Sequence, residues 1–289
     1  SVLLPPSLRS ATGNNIVEEI PNNFSTFDDA VNEVTRLNTI LTTHNSATVF
    51  IPTEQAFDNI EEANFDNLTP TEKAEIITNH IVPEVLTAED IPDRFTFSTA
   101  NGEPLFTTRD NGVKLNNKAT VVNPDDAEAV NGIIHGIDEV LLPNKFINVT
   151  RVIDKNFNLE ELYKALDGQD LADGLADKDT VTVLAPTNDA FEDADLSGFS
   201  DSEIKSILNF HVIASELLSS DIIVDAIENS EDGEITKTTF NDEDLTFTLD
   251  DETVLINGQD VISTADLEGS NGVVHIIDGI LVPPSLQDN

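Results

Sequence analysis

The sequence predicts an α+β protein built as two tandem domains of one design, and three observations carry that prediction. A long motif occurs twice: Asn131-Gly132-Ile133-Ile134-His135-Gly136-Ile137-Asp138-Glu139-Val140-Leu141-Leu142-Pro143 is answered by Asn271-Gly272-Val273-Val274-His275-Ile276-Ile277-Asp278-Gly279-Ile280-Leu281-Val282-Pro283. The opening stretch Val2-Leu3-Leu4-Pro5-Pro6-Ser7-Leu8 matches the motif's tail, Ile280 to Leu286. Corresponding landmarks keep nearly constant separations of 134 (Thr48 to Thr182), 131 (His80 to His211) and 140 residues (His135 to His275). Solenoid repeats run to about 20–50 residues, so a period this long means tandem globular domains. Residues 1–10 therefore read as the C-terminal tail of a preceding repeat, 11–148 as one domain and 149–289 as the next, and the reading expects a fragment of a longer multi-repeat chain.

Each repeat opens with an amphipathic helix. Phe27, Ala30, Val31, Val34, Leu37, Ile40 and Leu41 recur at helical spacing, with Ser25 or Thr26 as cap and Asp28-Asp29 in the first turn. Leu159, Leu162, Tyr163 and Leu166 mark its counterpart. A short buried strand, a Pro stop and a capping Thr follow in Thr48-Val49-Phe50-Ile51-Pro52-Thr53-Glu54-Gln55-Ala56-Phe57 and in Thr182-Val183-Leu184-Ala185-Pro186-Thr187-Asn188-Asp189-Ala190-Phe191. Thr69-Pro70-Thr71-Glu72 and Ser200-Asp201-Ser202-Glu203 read as capping boxes, the first with Pro at the first helical position. Their helices end in Asn79-His80 and Phe210-His211, with both histidines on the apolar face. A β-meander comes next, over 95–98, 104–108, 113–115 and 119–122 in one repeat and 235–240, 245–249, 254–256 and 261–263 in the other. Asn101-Gly102, Asn111-Gly112, Asn116-Asn117 and Asn257-Gly258 supply hairpin turns. The motif itself reads as an Asn-Gly turn opening into a long buried strand that closes the unit.

Composition bounds the partners. The formal charge is −41, with 8 basic against 23 acidic residues up to Val149 and 6 against 32 beyond it. Nucleic acid and anionic membrane surfaces would be repelled, which leaves a saline habitat, generic divalent cations or a cationic partner. A solvated acidic surface accounts for this charge without a dedicated site. With no cysteine there are no disulfides, thiolate metal sites or Cys nucleophiles. That lack of cysteine fits a secreted bacterial or archaeal protein that does not rely on cross-links, and a cytosolic chain would look the same.

Four of the five histidines occupy matched positions, which raises a catalytic or metal reading. His135 and Asp138, like His275 and Asp278, lie three apart on the expected strand and so point to opposite faces, which excludes a dyad. The expected role of each is structural: a buried His and a buried Asp, each hydrogen-bonded to backbone or a neighbouring loop. His44 sits in a polar loop and reads as exposed. No third ligand accompanies His80 and His135 at metal-site spacing, and no nucleophile or phosphate-loop motif is present. The reading is a non-enzyme without cofactor or bound metal. The Asp-rich stretches 167–179 and 228–234 offer oxygen ligands but lack the EF-hand order, and Asp170, Asp173 and Asp177 suit the wet face of a short helix carrying Leu171 and Leu175.

The ordered set of motifs resembles the fasciclin (fasciclin I-type) adhesion domain, twice over nearly the whole chain. The positions carrying the resemblance are Thr48, Pro52, Thr53, Phe57, His80, Asn131, His135 and Asp138, then Thr182, Pro186, Thr187, Phe191, His211, Asn271, His275 and Asp278. Departures are Glu54-Gln55 where the family favours Asn-Asp, and Asn79 or Phe210 where it favours Tyr before the His. The resemblance implies a wedge-shaped β-sandwich with helices packed around it, an extracellular, secreted or surface-attached setting, and adhesion to a cell-surface or matrix protein or glycan. The alternative is a secreted binding module for a small ligand, polysaccharide or calcium.

Overall fold

The computed structural model describes residues 13–43, 46–60, 64–224, 233–250, 253–258 and 260–287. The expected tail at 1–10, His44 and most of the acidic stretch 228–234 lie outside them. The chain divides into two compact units, 1–143 and 144–289. Residues 144–148, placed by the sequence reading in the first domain, serve the second. Ile147 O accepts from Ser270 N at 2.7 Å, and the Asn148 side chain accepts from Arg151 N at 3.0 Å to cap the helix it precedes.

The first unit holds helices α1 (Ile16–Glu19), α2 (Ser25–Glu33) and α3 (Thr35–Thr43), strand β1 (Ala47–Pro52), helices α4 (Glu54–Asp58) and α5 (Pro70–Asn79), and strands β2 (Ile81–Val82), β3 (Phe95–Ser98), β4 (Pro104–Arg109), β5 (Val113–Leu115), β6 (Ala119–Ala129) and β7 (Gly132–Ile137). Its strand order is β2-β1-β7-β6-β5-β4-β3. All neighbours are antiparallel except β1 and β7, which run parallel with Phe50 opposite His135. Both parallel strands are buried at every position, as strands covered on both faces must be.

The second unit repeats the plan. Helices α6 (Val149–Asp154), α7 (Glu160–Gly168) and α8 (Ala172–Ala176) precede β8 (Val181–Pro186), then come α9 (Asn188–Asp193), α10 (Asp201–Phe210), β9 (Val212–Ile213) and α11 (Ser219–Val224). Strands β10 (Glu234–Thr238), β11 (Asp244–Asp250), β12 (Thr253–Ile256), β13 (Asp260–Gly269) and β14 (Gly272–Ile277) and helix α12 (Pro284–Gln287) complete it. The order is β10-β11-β12-β13-β14-β8-β9, with β8 parallel to β14.

In each unit the sheet bends until its two edges touch at one end. Ala100 N donates to Ile81 O and Phe240 N to Val212 O, each at 2.8 Å. That contact is the closed end of the wedge. Phe50, Leu86, Ile91, Leu105, Leu115 and Ile137 fill the first wedge, and Leu184, Phe210, Leu217, Leu245, Phe247 and Ile277 the second.

Several expectations change in detail. The leading helix is two helices broken at Val34, whose extended backbone ends α2. The residue before α2 is Phe24, which has no polar side chain to cap it, and Thr26 lies inside the helix, where its N and Oγ1 donate to the Glu54 carboxylate at 3.0 and 2.6 Å. β6 and β13 run on well past the expected 122 and 263, taking up register shifts along the way. The closing strand stops at Ile137 or Ile277. Its hairpin connection is Val130-Asn131 or Ser270-Asn271, so the Gly is the first strand residue and not a turn residue.

Candidate functional site

The matched positions assemble around the wedge in each unit. Thr48, at the start of β1, is fully buried. Its Oγ1 donates to Glu84 O and accepts from Leu86 N, both at 2.8 Å. His135, on the neighbouring strand, directs Nε2 to Leu86 O at 2.9 Å and stacks on Phe50 with ring centroids 5.4 Å apart. A carbonyl only accepts, so His135 carries its proton on Nε2. The strand pair thus grips the segment after β2. Thr182 Oγ1 to Ser215 O (2.7 Å) and His275 Nε2 to Leu217 O (2.7 Å) repeat the grip in the second unit.

His80 and His211 are the residues that end α5 and α10. Nδ1 of each lies 2.7 or 2.8 Å from the carbonyl of Ile76 or Ile207. Nε2 of each accepts from the backbone N–H of Leu141 (2.9 Å) or Leu281 (3.0 Å). A ring that donates from one nitrogen and accepts at the other is neutral with its tautomer fixed. Burial without any charged partner pushes both down to about 4, against a smaller upward pull from the helix carbonyl. Asn79, where the second repeat has Phe210, adds a bond from Nδ2 to Leu141 O at 2.9 Å.

Asn131 and Asn271 hold the ends of helices, a role that turn chemistry alone does not reveal. Asn131 accepts from Ile16 N at 2.8 Å and donates to Leu41 O at 2.6 Å. Asn271 accepts from Val149 N at 2.9 Å and donates to Leu175 O at 2.9 Å. Each ties the first helix of its unit to the last strand. Thr53 and Thr187 cap α4 and α9 by accepting from Ala56 N and Ala190 N, each at 3.2 Å. Pro52 and Pro186 end β1 and β8. Phe57 is buried against Phe65, centroids 4.8 Å apart, whereas Phe191 is half-buried.

Asp138 and Asp278 depart from expectation. Both lie one residue beyond the strand and are exposed, not buried. Asp138 still accepts from Thr120 N at 2.5 Å. A carboxylate that sequence reasoning missed does reach a histidine. Asp266, in left-handed backbone (φ 57), gives its N–H to His275 Nδ1 at 3.1 Å. Its own carboxylate receives Ser219 N at 2.8 Å and the Ser219 hydroxyl. The contact between His275 Nδ1 and Asp266 Oδ1 at 3.8 Å is not an ion pair. Nδ1 already accepts a hydrogen bond, and burial holds His275 below its ordinary value despite the upward pulls of Leu217 O and Asp266. The serine addresses the aspartate and not the imidazole, so Ser219, Asp266 and His275 form no proton relay.

Among the described residues no group of three or more His, Cys, Asp or Glu side chains could hold a metal ion. Asp170, Asp173 and Asp177 are exposed around α8, whose Leu175 is buried. No helix among the described residues is long and apolar enough to cross a membrane.

The Fasciclin domain family model matches residues 22–143 and 157–283. The chain is 25% identical over 250 residues to transforming growth factor-beta-induced protein ig-h3 of Sus scrofa, covering 83% of this chain and 35% of that protein. It is likewise 25% identical over 250 residues to periostin of Homo sapiens, covering 83% of this chain and 29% of the relative. It therefore spans about a third of the length of these curated relatives. Among solved structures, a FAS1 domain pair from the insect cell adhesion molecule fasciclin I aligns with a TM-score of 0.64 at 20% identity, over 91% of this chain and 98% of that one. With the family model matched twice over most of its length, the chain belongs to the fasciclin domain family.

Proposed function

We propose that the chain is a non-enzymatic, extracellular adhesion or matrix-interaction protein that engages a cell-surface or matrix protein or glycan through several weak contacts. One observation carries the reading: the polar side chains matched between the repeats are consumed by the fold. His80, His211 and His275 each have main-chain partners on both ring nitrogens, and Thr48 and Thr182 are spent on loop carbonyls. Such groups hold a scaffold and leave recognition to the surface. Tandem units suit weak contacts, because linking two modest sites raises avidity without a tight single one. The adhesion molecule whose domain pair shares this fold is consistent with that role.

The test is a panel of immobilised matrix proteins and glycans, probed with the two-unit chain and with each unit alone, with and without calcium. Binding by the pair that exceeds either single unit by at least an order of magnitude is the expected result. Equal binding by one unit, or a signal only with calcium and a soluble saccharide, would replace adhesion with the binding-module reading.

A further inference from the structure

Five Asn-Gly pairs occur in the chain, at 101–102, 111–112, 131–132, 257–258 and 271–272. Such a pair can rearrange when the glycine nitrogen attacks the preceding side-chain amide carbon, since no Cβ on the glycine obstructs the approach. Ring closure needs two freedoms. The glycine N–H must be released from any hydrogen bond, and the asparagine carboxamide must be able to swing onto its own backbone.

The structure withholds at least one freedom from four of the five. The carboxamides of Asn131 and Asn271 are clamped from both ends by helix backbone. Asn257 Oδ1 is held by Thr246 N at 3.0 Å. Gly102 N donates to Thr99 O at 2.9 Å, which engages the nucleophile that follows Asn101. Asn111 and Gly112 differ. Both are exposed in the β4–β5 connection and lie outside either strand. Asn111 has φ 54 and Gly112 φ 145, and nothing lies within 4 Å of where a Gly112 Cβ would stand. Among the described residues the Asn111 amide reaches only its neighbour Asp110, Nδ2 to Oδ1 at 3.2 Å. Among the described residues no hydrogen bond holds Gly112 N.

We propose that Asn111-Gly112 is a site of covalent modification, converting to aspartate and isoaspartate with water as the only co-reactant. Gly112 N bonds to Asn111 Cγ, the Cγ–Nδ2 bond breaks, and ammonia departs carrying the amide proton. Water then opens the imide at either carbonyl. Nothing is oxidised or reduced. Opening at the main-chain carbonyl gives isoaspartate, which routes the backbone through Cβ and lengthens it by one carbon. The altered turn adjoins Arg109, whose guanidinium holds the carbonyls of Ala88, Glu89 and Ile91 at 3.0, 3.2 and 2.7 Å.

The test ages the whole chain at mildly alkaline pH and body temperature in water enriched in heavy oxygen, followed by peptide mapping with fragmentation that separates aspartate from isoaspartate. The Asn111 peptide is expected to take up label first, at least about tenfold faster than any of the other four, a barrier difference of about 1.4 kcal/mol. Asn111→Gln should abolish that uptake, with a small drop in melting temperature, because Gln suits the left-handed backbone at φ 54 less well than Asn. Equal or faster conversion at Asn101, Asn131, Asn257 or Asn271 overturns the assignment. So does total label uptake that is the same in Asn111→Gln as in the parent chain.

Discussion

His80 and His211 bind fewer protons in the fold than in the unfolded chain across a defined range of pH. Unfolded, each titrates near 6.5; folded, near 4. Above 6.5 both states are neutral and the histidines impose no pH dependence. As pH falls from 6.5 toward 4 the unfolded chain takes up the proton first, so stability is lost, and below 4 the loss levels off. A difference of this size is worth about 3 kcal/mol per histidine. Thermal unfolding of each unit between pH 7 and 4 should therefore show falling stability, and His80→Ala or His211→Ala should flatten the curve of its own unit. At neutral pH the same variants should cost about 1–3 kcal/mol, because Leu141 N or Leu281 N is left buried without an acceptor. A His211→Ala protein with the parent's pH slope and melting temperature would remove the residue from the scaffold. The inward orientation of these rings was legible from apolar spacing at a helix end. Their acceptor role was not, because the partners lie 61 and 70 residues away in sequence. Asp138 and Asp278 were misread as buried because the apolar run continues past the last paired residue, and composition alone does not mark where a ladder stops.

At the scale of elements, the parallel pairs β1·β7 and β8·β14 set the tightest constraint. A Cβ on Gly132 would stand 2.1 Å from Ala47 O, and one on Gly272 1.9 Å from Val181 O. Gly272 also has φ 147. Gly132→Ala and Gly272→Ala should each destabilise by at least about 1–3 kcal/mol, since backbone cannot yield as a side chain does. Gly174, inside α8 with nothing within 4 Å of its Cβ position, is the contrasting case. Gly174→Ala should stabilise by about 0.5–1 kcal/mol. Denaturant melts of the three variants check both signs, and a neutral Gly272→Ala would disprove the close approach. Strand and helix positions were legible from periodicity and capping boxes, down to Ser200 N donating to Glu203 Oε2 at 2.8 Å. The break at Val34 was not, because Val34 continues the apolar spacing of the helix it interrupts. The extensions of β6 and β13 were hidden too, since Asp125-Asp126 and Asp266 read as loop residues.

For the whole molecule, charge and division into units govern behaviour. With formal charges of −15 up to Val149 and −26 beyond it, self-repulsion in the compact state should weaken as salt shortens the screening length from about 30 Å at 0.01 M to about 3 Å at 1 M. Melting temperatures should rise with salt in both units and more in the second. Magnesium and calcium should act alike at matched ionic strength. A shift of several degrees with calcium alone would instead show a formed site. Fragments 1–143 and 144–289 should each fold alone. A second unit cut to begin at 149 should lose about 1 kcal/mol or more, because Asn148 caps α6 and Ile147 O receives Ser270 N. Circular dichroism of the three fragments checks this. The repeat was legible in the sequence because matched motifs recur at a near-constant interval. The position of the division was not, because the partner that ties 144–148 to the second unit, Ser270, lies far along the chain.

The double clamp on Asn131 and Asn271 bears on the order in which a unit can form. The asparagine that receives Ile16 N lies 115 residues downstream of it, and the one that receives Val149 N lies 122 downstream. That hydrogen bond from the first helix of each unit cannot form until the final strand has been made, and the parallel partner of β1 arrives equally late. During synthesis the early helices can pack on one another and β1 can pair with β2, but closure comes in one late step when the last strand enters between its neighbours. A chain released from the ribosome before the final strand would lack the centre of its sheet and the asparagine clamp together, a species for chaperones and proteases to handle.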